Sequence, residues 1–152
     1  LAFLAWPCWA NTLTGHVVKV TDGDTITVLD ASKTQHKIRL SGIDAPERKQ
    51  AFGNASREHL SSLIAGQEVQ INWTKHARYR RIVGVVIYHG LDVNLEQVRQ
   101  GYAWHYKRFE REQSPADRKL YAKVEREARA KRLGLWKDKS PMPPWEWRQR
   151  KD

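Results

Sequence analysis

The chain has 152 residues, of which 27 are Lys or Arg and 17 are Asp or Glu, so its formal net charge is +10. This length suits one globular domain, and the 40% of hydrophobic residues can form its core. A single cysteine, Cys8, excludes an intrachain disulfide and a cysteine-based zinc site, and no apolar run is long enough to predict a membrane-spanning helix. The excess of positive charge indicates a polyanionic partner, either nucleic acid or an anionic membrane surface.

The first ten residues, LAFLAWPCWA, carry no charge and are followed at once by the polar Asn11. They resemble the apolar part of a secretory signal that ends at a small residue, here Ala10. We therefore interpret residues 1–10 as a signal-peptide remnant, which predicts a secreted or periplasmic protein. The alternative is an ordinary buried N-terminal segment.

Three strands are predicted in the next part of the chain. Residues 14–20 are rich in β-branched side chains and lead through an Asp-Gly turn into residues 25–29, which predicts a hairpin. Residues 35–40 place Ile38 and Leu40 on one face and charged side chains on the other, as a half-buried strand does.

A helix over residues 54–65, stopped by Gly66, precedes two further strands, at 68–73 and 81–88. A short helix is predicted over 94–100. The last helix begins at the N-cap Ser114 and is expected to end at Gly134. Its apolar residues recur every four positions: Ala116, Leu120, Val124 and Ala128.

Five strands with a helix after the third is the order of the OB-fold, a small barrel that often binds oligonucleotides. The fold class predicted is therefore mainly β with helices (α+β), a five-stranded OB-fold barrel with about three helices. The domain is expected over residues 11–137. Residues 138–152 form a basic tail rich in proline and tryptophan, which is expected to pack on the domain without forming a helix.

Acidic residues stand at two corners of the predicted sheet. Asp22 and Asp24 lie in the hairpin turn, and Asp44 and Glu47 follow the third strand. If the corners meet, the carboxylates repel one another, and a hard cation such as Ca²⁺ relieves that repulsion. The alternative for the hairpin pair is turn formation alone, in which Asp is common.

Basic residues near these corners are suited to a phosphodiester. Arg39 lies on the third strand, five residues before Asp44, and the segment KHARYRR over 75–81 adds further positive charge. A cation and an arginine neutralise a phosphate, while a carboxylate accepts a proton from an attacking water. The alternatives are a solvated strand arginine and a basic loop.

Four motifs in order resemble the thermonuclease (staphylococcal nuclease-like) family. They are VKVTDGDT at 18–25, IRLSGIDAPE at 38–47, VRQGYA at 98–103 and GLW at 134–136, within a similarity that spans residues 14–137. The resemblance implies an OB-fold and a Ca²⁺-dependent nuclease of little sequence preference, which cuts DNA and RNA to leave 3′-phosphates. Single-stranded or locally unpaired substrates and a monomeric protein are expected.

The resemblance also assigns roles to residues. Asp24, Asp44 and the backbone carbonyl of Ala45 would bind Ca²⁺, with Asp22 acting through water. Glu47 would be the general base, and Arg39 and Arg81 would stabilise the charge on the phosphate. Substrate binding falls to four residues, of which the last two would stack on a base: Tyr79, Arg80, Trp104 and Tyr106.

One departure from the family pattern leaves a second function open. The family commonly shows Asp-x-Tyr-Gly-Arg where this chain has Ala77 to Arg81, with Arg80 in place of the glycine. If the family's glycine has a left-handed backbone, Arg80 cannot adopt it without strain, and the loop is expected to differ in conformation. Arg80 is then an alternative to Arg81 as the second phosphate-binding arginine. The competing prediction is a catalytically impaired nucleic-acid-binding module. Among the histidines, which lack zinc-site spacing, His76 and His105 are either phosphate contacts or surface residues without a role.

Overall fold

The computed structural model describes residues 11–76 and 81–150, with the side chains of 74–76 excepted. The residues predicted as a signal-peptide remnant, 1–10, and the segment 77–80 lie outside this part of the chain. Within the described residues, every helix is too short or too polar to span a bilayer.

The structure contains eight strands and four α-helices in its described part. The strands are β1 (Asn11–Asp22), β2 (Thr25–Leu29), β3 (Gln35–Leu40), β4 (Ile43–Asp44), β5 (Glu68–His76), β6 (Ile82–Tyr88), β7 (Leu91–Asp92) and β8 (Trp104–His105). The helices are α1 (Gly53–Ile64), α2 (Val93–Arg99), α3 (Pro115–Ala130) and α4 (Pro144–Gln149), and two 3₁₀ helices cover Lys107–Glu112 and Gly134–Lys137.

Five of these strands close into a barrel. They are hydrogen-bonded in the order β3-β2-β1-β5-β6, and a parallel pairing of β3 with β6, which sets Ile38 opposite Ile82, joins the two ends. Alternate side chains fill the interior, among them Ile26, Val28 and Ile38, all fully buried. This is the predicted OB-fold, and the five barrel strands are the five that the sequence predicts.

The apolar face of α3 differs from the prediction. Its buried residues include Tyr121, Val124 and Ala128, whereas Ala116 and Leu120 are exposed. A strict spacing of four residues drifts around a helix with 3.6 residues per turn, so only mixed steps of three and four keep to one face. Ser114 is the N-cap as predicted, and its side chain accepts a hydrogen bond from the Asp117 N–H.

The end of α3 was also predicted wrongly. The helix stops at Ala130, and Gly134 begins the following 3₁₀ helix with a φ of 53°. The Leu135 N–H donates to the Gly101 carbonyl at 2.8 Å, and a Cβ on Gly134 would lie 2.3 Å from that same oxygen. Gly134 is therefore needed for the contact between two backbone segments rather than as a helix stop.

The C-terminal tail contains a helix, contrary to the prediction from its prolines. In α4, Pro143 is the N-cap and Pro144 is the first helical residue. Proline is tolerated at these positions because the first N–H groups of a helix have no intrahelical acceptor. Pro144 is buried, and Trp145 packs against a cluster of buried residues that includes Trp104 and Trp136.

Candidate active site

Backbone hydrogen bonds bring the two acidic corners together. The Leu40 N–H donates to the carbonyl of Asp24 at 2.9 Å, which joins the end of β3 to the hairpin turn. The Ala45 N–H donates to Asp24 Oδ2 at 2.7 Å, which joins the segment after β4 to the same residue. The corners predicted to meet therefore meet through Asp24.

Arg39 lies between the two central carboxylates. Its Nη2 is 3.4 Å from Asp24 Oδ2 and 3.3 Å from Asp44 Oδ1. Its Nη1 donates to the Leu40 carbonyl at 2.8 Å, which holds the guanidinium in this orientation. Asp24 is 6% exposed and Asp44 fully buried, so the interactions act largely out of solvent.

Burial and like charge act on the carboxylates of this site. Burial raises the pKa of Asp44, and hydrogen bonding and charge from Arg148 and Arg39 oppose that rise. The pKa of Asp22 is also raised, first by burial and then by the neighbouring charges of Asp24 and Glu47. Removing acids from water and crowding them is unfavourable unless positive charge is supplied.

These residues line an open cavity of about 480 Å³. Its walls carry residues predicted from the sequence, namely Asp22, Asp24, Arg39, Asp44, Glu47, Arg81 and Tyr106. Glu47 is half-buried. The Nε of Arg81 is buried and has no hydrogen-bond partner among the described residues. The cavity thus presents carboxylates and guanidinium groups from distant parts of the chain to one space.

Arg148 on α4 also lines this cavity and was not predicted from the sequence. Its Nη1 and Nη2 donate to the two carboxylate oxygens of Asp44 at 3.1 and 2.8 Å, and Nη1 also donates to Glu47 Oε1 at 3.0 Å. Hydrogen bonding to Asp44 raises the pKa of Arg148. The two tryptophans followed closely by basic residues in the tail were the available signal, but they did not indicate which carboxylates the tail meets.

The aromatic residues predicted to stack on a base have different surroundings. Trp104 is 6% exposed, and its ring lies edge-to-face against Trp136 and Trp145 at 4.5 and 5.4 Å. This burial contradicts the prediction that Trp104 stacks on a base. Tyr106 borders the cavity, and its ring is stacked on Trp145 with centroids 5.3 Å apart.

Four other candidate phosphate-binding or substrate-binding residues lie outside the cavity or outside the described residues. His105 is 1% exposed, and its Nε2 lies 2.8 Å from Gln113 Oε1, so its burial contradicts the suggested phosphate contact. Tyr79 and Arg80 belong to the segment that the structure does not describe, as does the side chain of His76. Their predicted roles stay predictions.

The acidic side chains of the cavity are of the chemical type that binds a hard cation. Asp22, Asp24 and Asp44 offer the carboxylate oxygens that Ca²⁺ prefers. In the described part of the chain, however, no three acidic, histidine or cysteine side chains are arranged as a metal-binding group, and Arg39 and Arg148 hold the oxygens of Asp44. A cation that binds Asp44 therefore competes with Arg148 and Arg39 for its oxygens.

Comparison with known proteins places these residues in a sequence family. The family model described as "Staphylococcal nuclease homologue" matches residues 37–138. An "Uncharacterized endonuclease" of Escherichia coli is 41% identical over 99% of this chain and 95% of its own length. A "Micrococcal nuclease" of Shigella flexneri is 41% identical over 94% of this chain and 84% of its own length. A "Staphylococcal-like nuclease" of Arabidopsis thaliana is 38% identical over 76% of this chain and 34% of its own length.

Proposed function

The chain belongs to the staphylococcal nuclease family and is a nuclease, and we propose that it hydrolyses DNA and RNA with Ca²⁺ to leave 3′-phosphates. The observation that carries the proposal is the position of Arg39 between Asp24 and Asp44, in the cavity that Glu47 also lines. This arrangement sets a phosphate-binding group beside oxygen donors for a cation and beside a carboxylate that can take a proton.

Each group has a separate part in the proposed reaction. Asp24, Asp44 and the carbonyl of Ala45 would hold the cation, and Asp22 would act through water. When bound, Ca²⁺ would supply positive charge that neutralises the phosphate. Glu47 accepts the proton of the attacking water, since its half-buried carboxylate lines the open cavity.

Two arginines bind the substrate phosphate in this proposal. Arg39 is held by the Leu40 carbonyl and so needs little reorganisation when a phosphate arrives. Arg81 lines the same cavity, and its buried Nε has no partner among the described residues. Charge that develops on the phosphate in the transition state is stabilised by both guanidinium groups.

A second candidate function is a nucleic-acid-binding module without catalysis. Arg148 favours it, because its hydrogen bonds neutralise Asp44 and Glu47, which the reaction requires as free carboxylates. The Ala77 and Arg80 departures from the family pattern also favour it. This module would bind nucleic acid with strong salt dependence and release no product at any Ca²⁺ concentration.

We also propose where the protein acts, its oligomeric state and its preferred form of substrate. The uncharged residues 1–10 support export to the periplasm or the exterior, and cell fractionation followed by sequencing of the mature N-terminus tests this. We propose a monomer that prefers single-stranded or locally unpaired substrates. Light scattering tests the first, and cleavage rates on matched single and double strands test the second.

Digestion of labelled single-stranded DNA and RNA by the full chain tests the reaction itself. We expect cutting that rises with Ca²⁺, stops when chelator is added and leaves 3′-phosphate ends. Cutting that persists under chelator would remove the metal from the mechanism. The absence of product across the Ca²⁺ titration would favour the binding module.

Glu47→Gln tests the general base. We expect its turnover to fall by about 100-fold, the effect of losing a group that accepts a proton in the transition state. The matched control is Glu58→Gln, which removes the same charge from an exposed position on α1. Equal turnover in the two variants would exclude Glu47 as the base.

A further inference from the structure

A second cavity, of about 540 Å³, adjoins the active site. Its lining combines three cations with two aromatic rings and an amide: Lys107, Arg108, Arg148, Tyr106, Trp145 and Gln149. Tyr106 and Arg148 line both cavities, so the two spaces form a continuous surface. Cations beside aromatic rings are the groups by which proteins bind single-stranded nucleic acid.

The helix that carries Arg148 is anchored independently of the acidic residues. Pro144 is buried, Trp145 is stacked on Tyr106 with an interplanar angle of 10°, and its ring meets Trp104 edge-to-face. The segment before the helix is held by Gln50, whose Nε2 donates to the Met142 carbonyl at 2.7 Å. Breaking the contacts of Arg148 therefore leaves α4 in place.

The carboxylates that Arg148 contacts are the ones the proposed reaction uses. Asp44 is assigned to the cation and Glu47 to the attacking water, and Arg148 bonds to both. The guanidinium of Arg148 would compete with a cation for Asp44 and would be repelled by its charge. The side chain of Arg148, 39% exposed, would then be free to turn toward the second cavity, which its own helix borders.

We propose that the second cavity is a nucleotide-binding subsite of this nuclease. Arg148 binds the phosphate next to the scissile one, and the base of that nucleotide lies against the Tyr106–Trp145 pair. The contacts of Arg148 with Asp44 and Glu47 are its arrangement before cation and substrate bind. This inference rests on the proposed function and assigns the tail helix to substrate binding.

The test is oligonucleotide binding measured without cleavage. A fluorescein-labelled single-stranded octanucleotide with phosphorothioate linkages keeps the backbone charge and slows hydrolysis. Its anisotropy is followed with the full chain at saturating Ca²⁺ over a range of NaCl concentrations. The variants are Arg148→Met, Arg148→Lys and the matched control Arg150→Met, which removes the same charge from an exposed position at the end of α4.

We expect Arg148→Met to raise the Kd of the octanucleotide by about tenfold and to reduce the slope of log K against log salt by about 0.7, the loss of one phosphate contact on a single strand. Arg148→Lys retains a positive charge and recovers part of the affinity. Arg150→Met stays within about twofold of the parent. A dinucleoside monophosphate, which lacks the second phosphate, competes equally well in the parent and in Arg148→Met.

The subsite is refuted if Arg148→Met and Arg150→Met have the same affinity and salt slope. It is also refuted if Arg148→Met weakens the dinucleoside monophosphate as much as the octanucleotide. Failure of the nuclease proposal gives a different result: the parent binds the octanucleotide but leaves unmodified DNA and RNA uncut.

Discussion

Arg148→Met is expected to tighten the binding of Ca²⁺ in the absence of nucleic acid. Arg148 makes two hydrogen bonds to Asp44, at 2.8 and 3.1 Å, and one to Glu47 at 3.0 Å. A hydrogen bond to a charged group contributes roughly 1.5–3 kcal/mol. The 39% exposure of Arg148 lowers that figure through solvent screening, so displacing it costs about 1.5 kcal/mol in total.

In Arg148→Met, Ca²⁺ binds Asp44 without displacing a guanidinium, so its binding free energy improves by this amount. Since 1.4 kcal/mol corresponds to a factor of ten in affinity, Ca²⁺ binds Arg148→Met about tenfold more tightly. Isothermal titration calorimetry of the full chain with CaCl₂ measures the change directly. Arg150→Met is the control for the loss of one positive charge at the same end of the molecule.

If Arg148→Met and Arg150→Met bind Ca²⁺ with affinities within about twofold of each other, competition between Arg148 and the cation at Asp44 is refuted. The proposed subsite gives this variant a second, opposite effect: tighter cation binding and weaker oligonucleotide binding. A purely structural role for Arg148 would weaken both.

Two further predictions concern α3. Val124→Ala removes two buried methyl groups and is expected to cost about 2 kcal/mol in the free energy of unfolding, whereas Leu120→Ala, at an exposed position, costs under about 0.5 kcal/mol. Similar costs in urea unfolding would contradict the observed helix face. Tyr121→Phe removes the hydroxyl that donates to Asp92 Oδ2 at 2.8 Å, an expected loss of about 1–3 kcal/mol at pH 7. Burial raises the pKa of Asp92, and removal of this donor raises that pKa further. The ionised carboxylate is then the costly form, so the loss is full above that pKa and shrinks as the pH falls through it. Equal losses in urea unfolding at pH 7 and pH 4 would contradict this assignment.

Local patterns in the sequence were sufficient for most of the barrel. The ranges of β2 and β3 agree with the prediction to the residue, because a turn and alternating burial define both strands. The short strands β4 and β8 were missed. Each has two residues, and they exist because they pair with each other, with Ile43 opposite His105 and Asp44 opposite Trp104. A strand of two residues has no period that a sequence can show.

The candidate site also has a part that local sequence patterns predict and a part that they do not. The identities of Asp22, Asp24, Arg39, Asp44 and Glu47 and their place at the strand ends follow from the chain itself, because turns and strand ends are encoded by neighbouring residues. The second arginine that contacts Asp44 does not follow in this way. Arg148 lies 104 residues further along the chain, and it reaches Asp44 only because Pro144 and Trp145 seat the tail helix beside Tyr106.

The burial of Trp104 was likewise decided by packing. Short-range patterns report which side chains are apolar, and they do not report which other segment covers them. Here α3, the 3₁₀ helix Gly134–Lys137 and α4 together cover the ring of Trp104, which was predicted to stack on a base. The sequence by itself thus determined which residues carry the chemistry and where the local turns and strands lie. The contact between the tail and the acidic corners was decided by the tertiary structure, because it depends on the burial of apolar surface far along the chain.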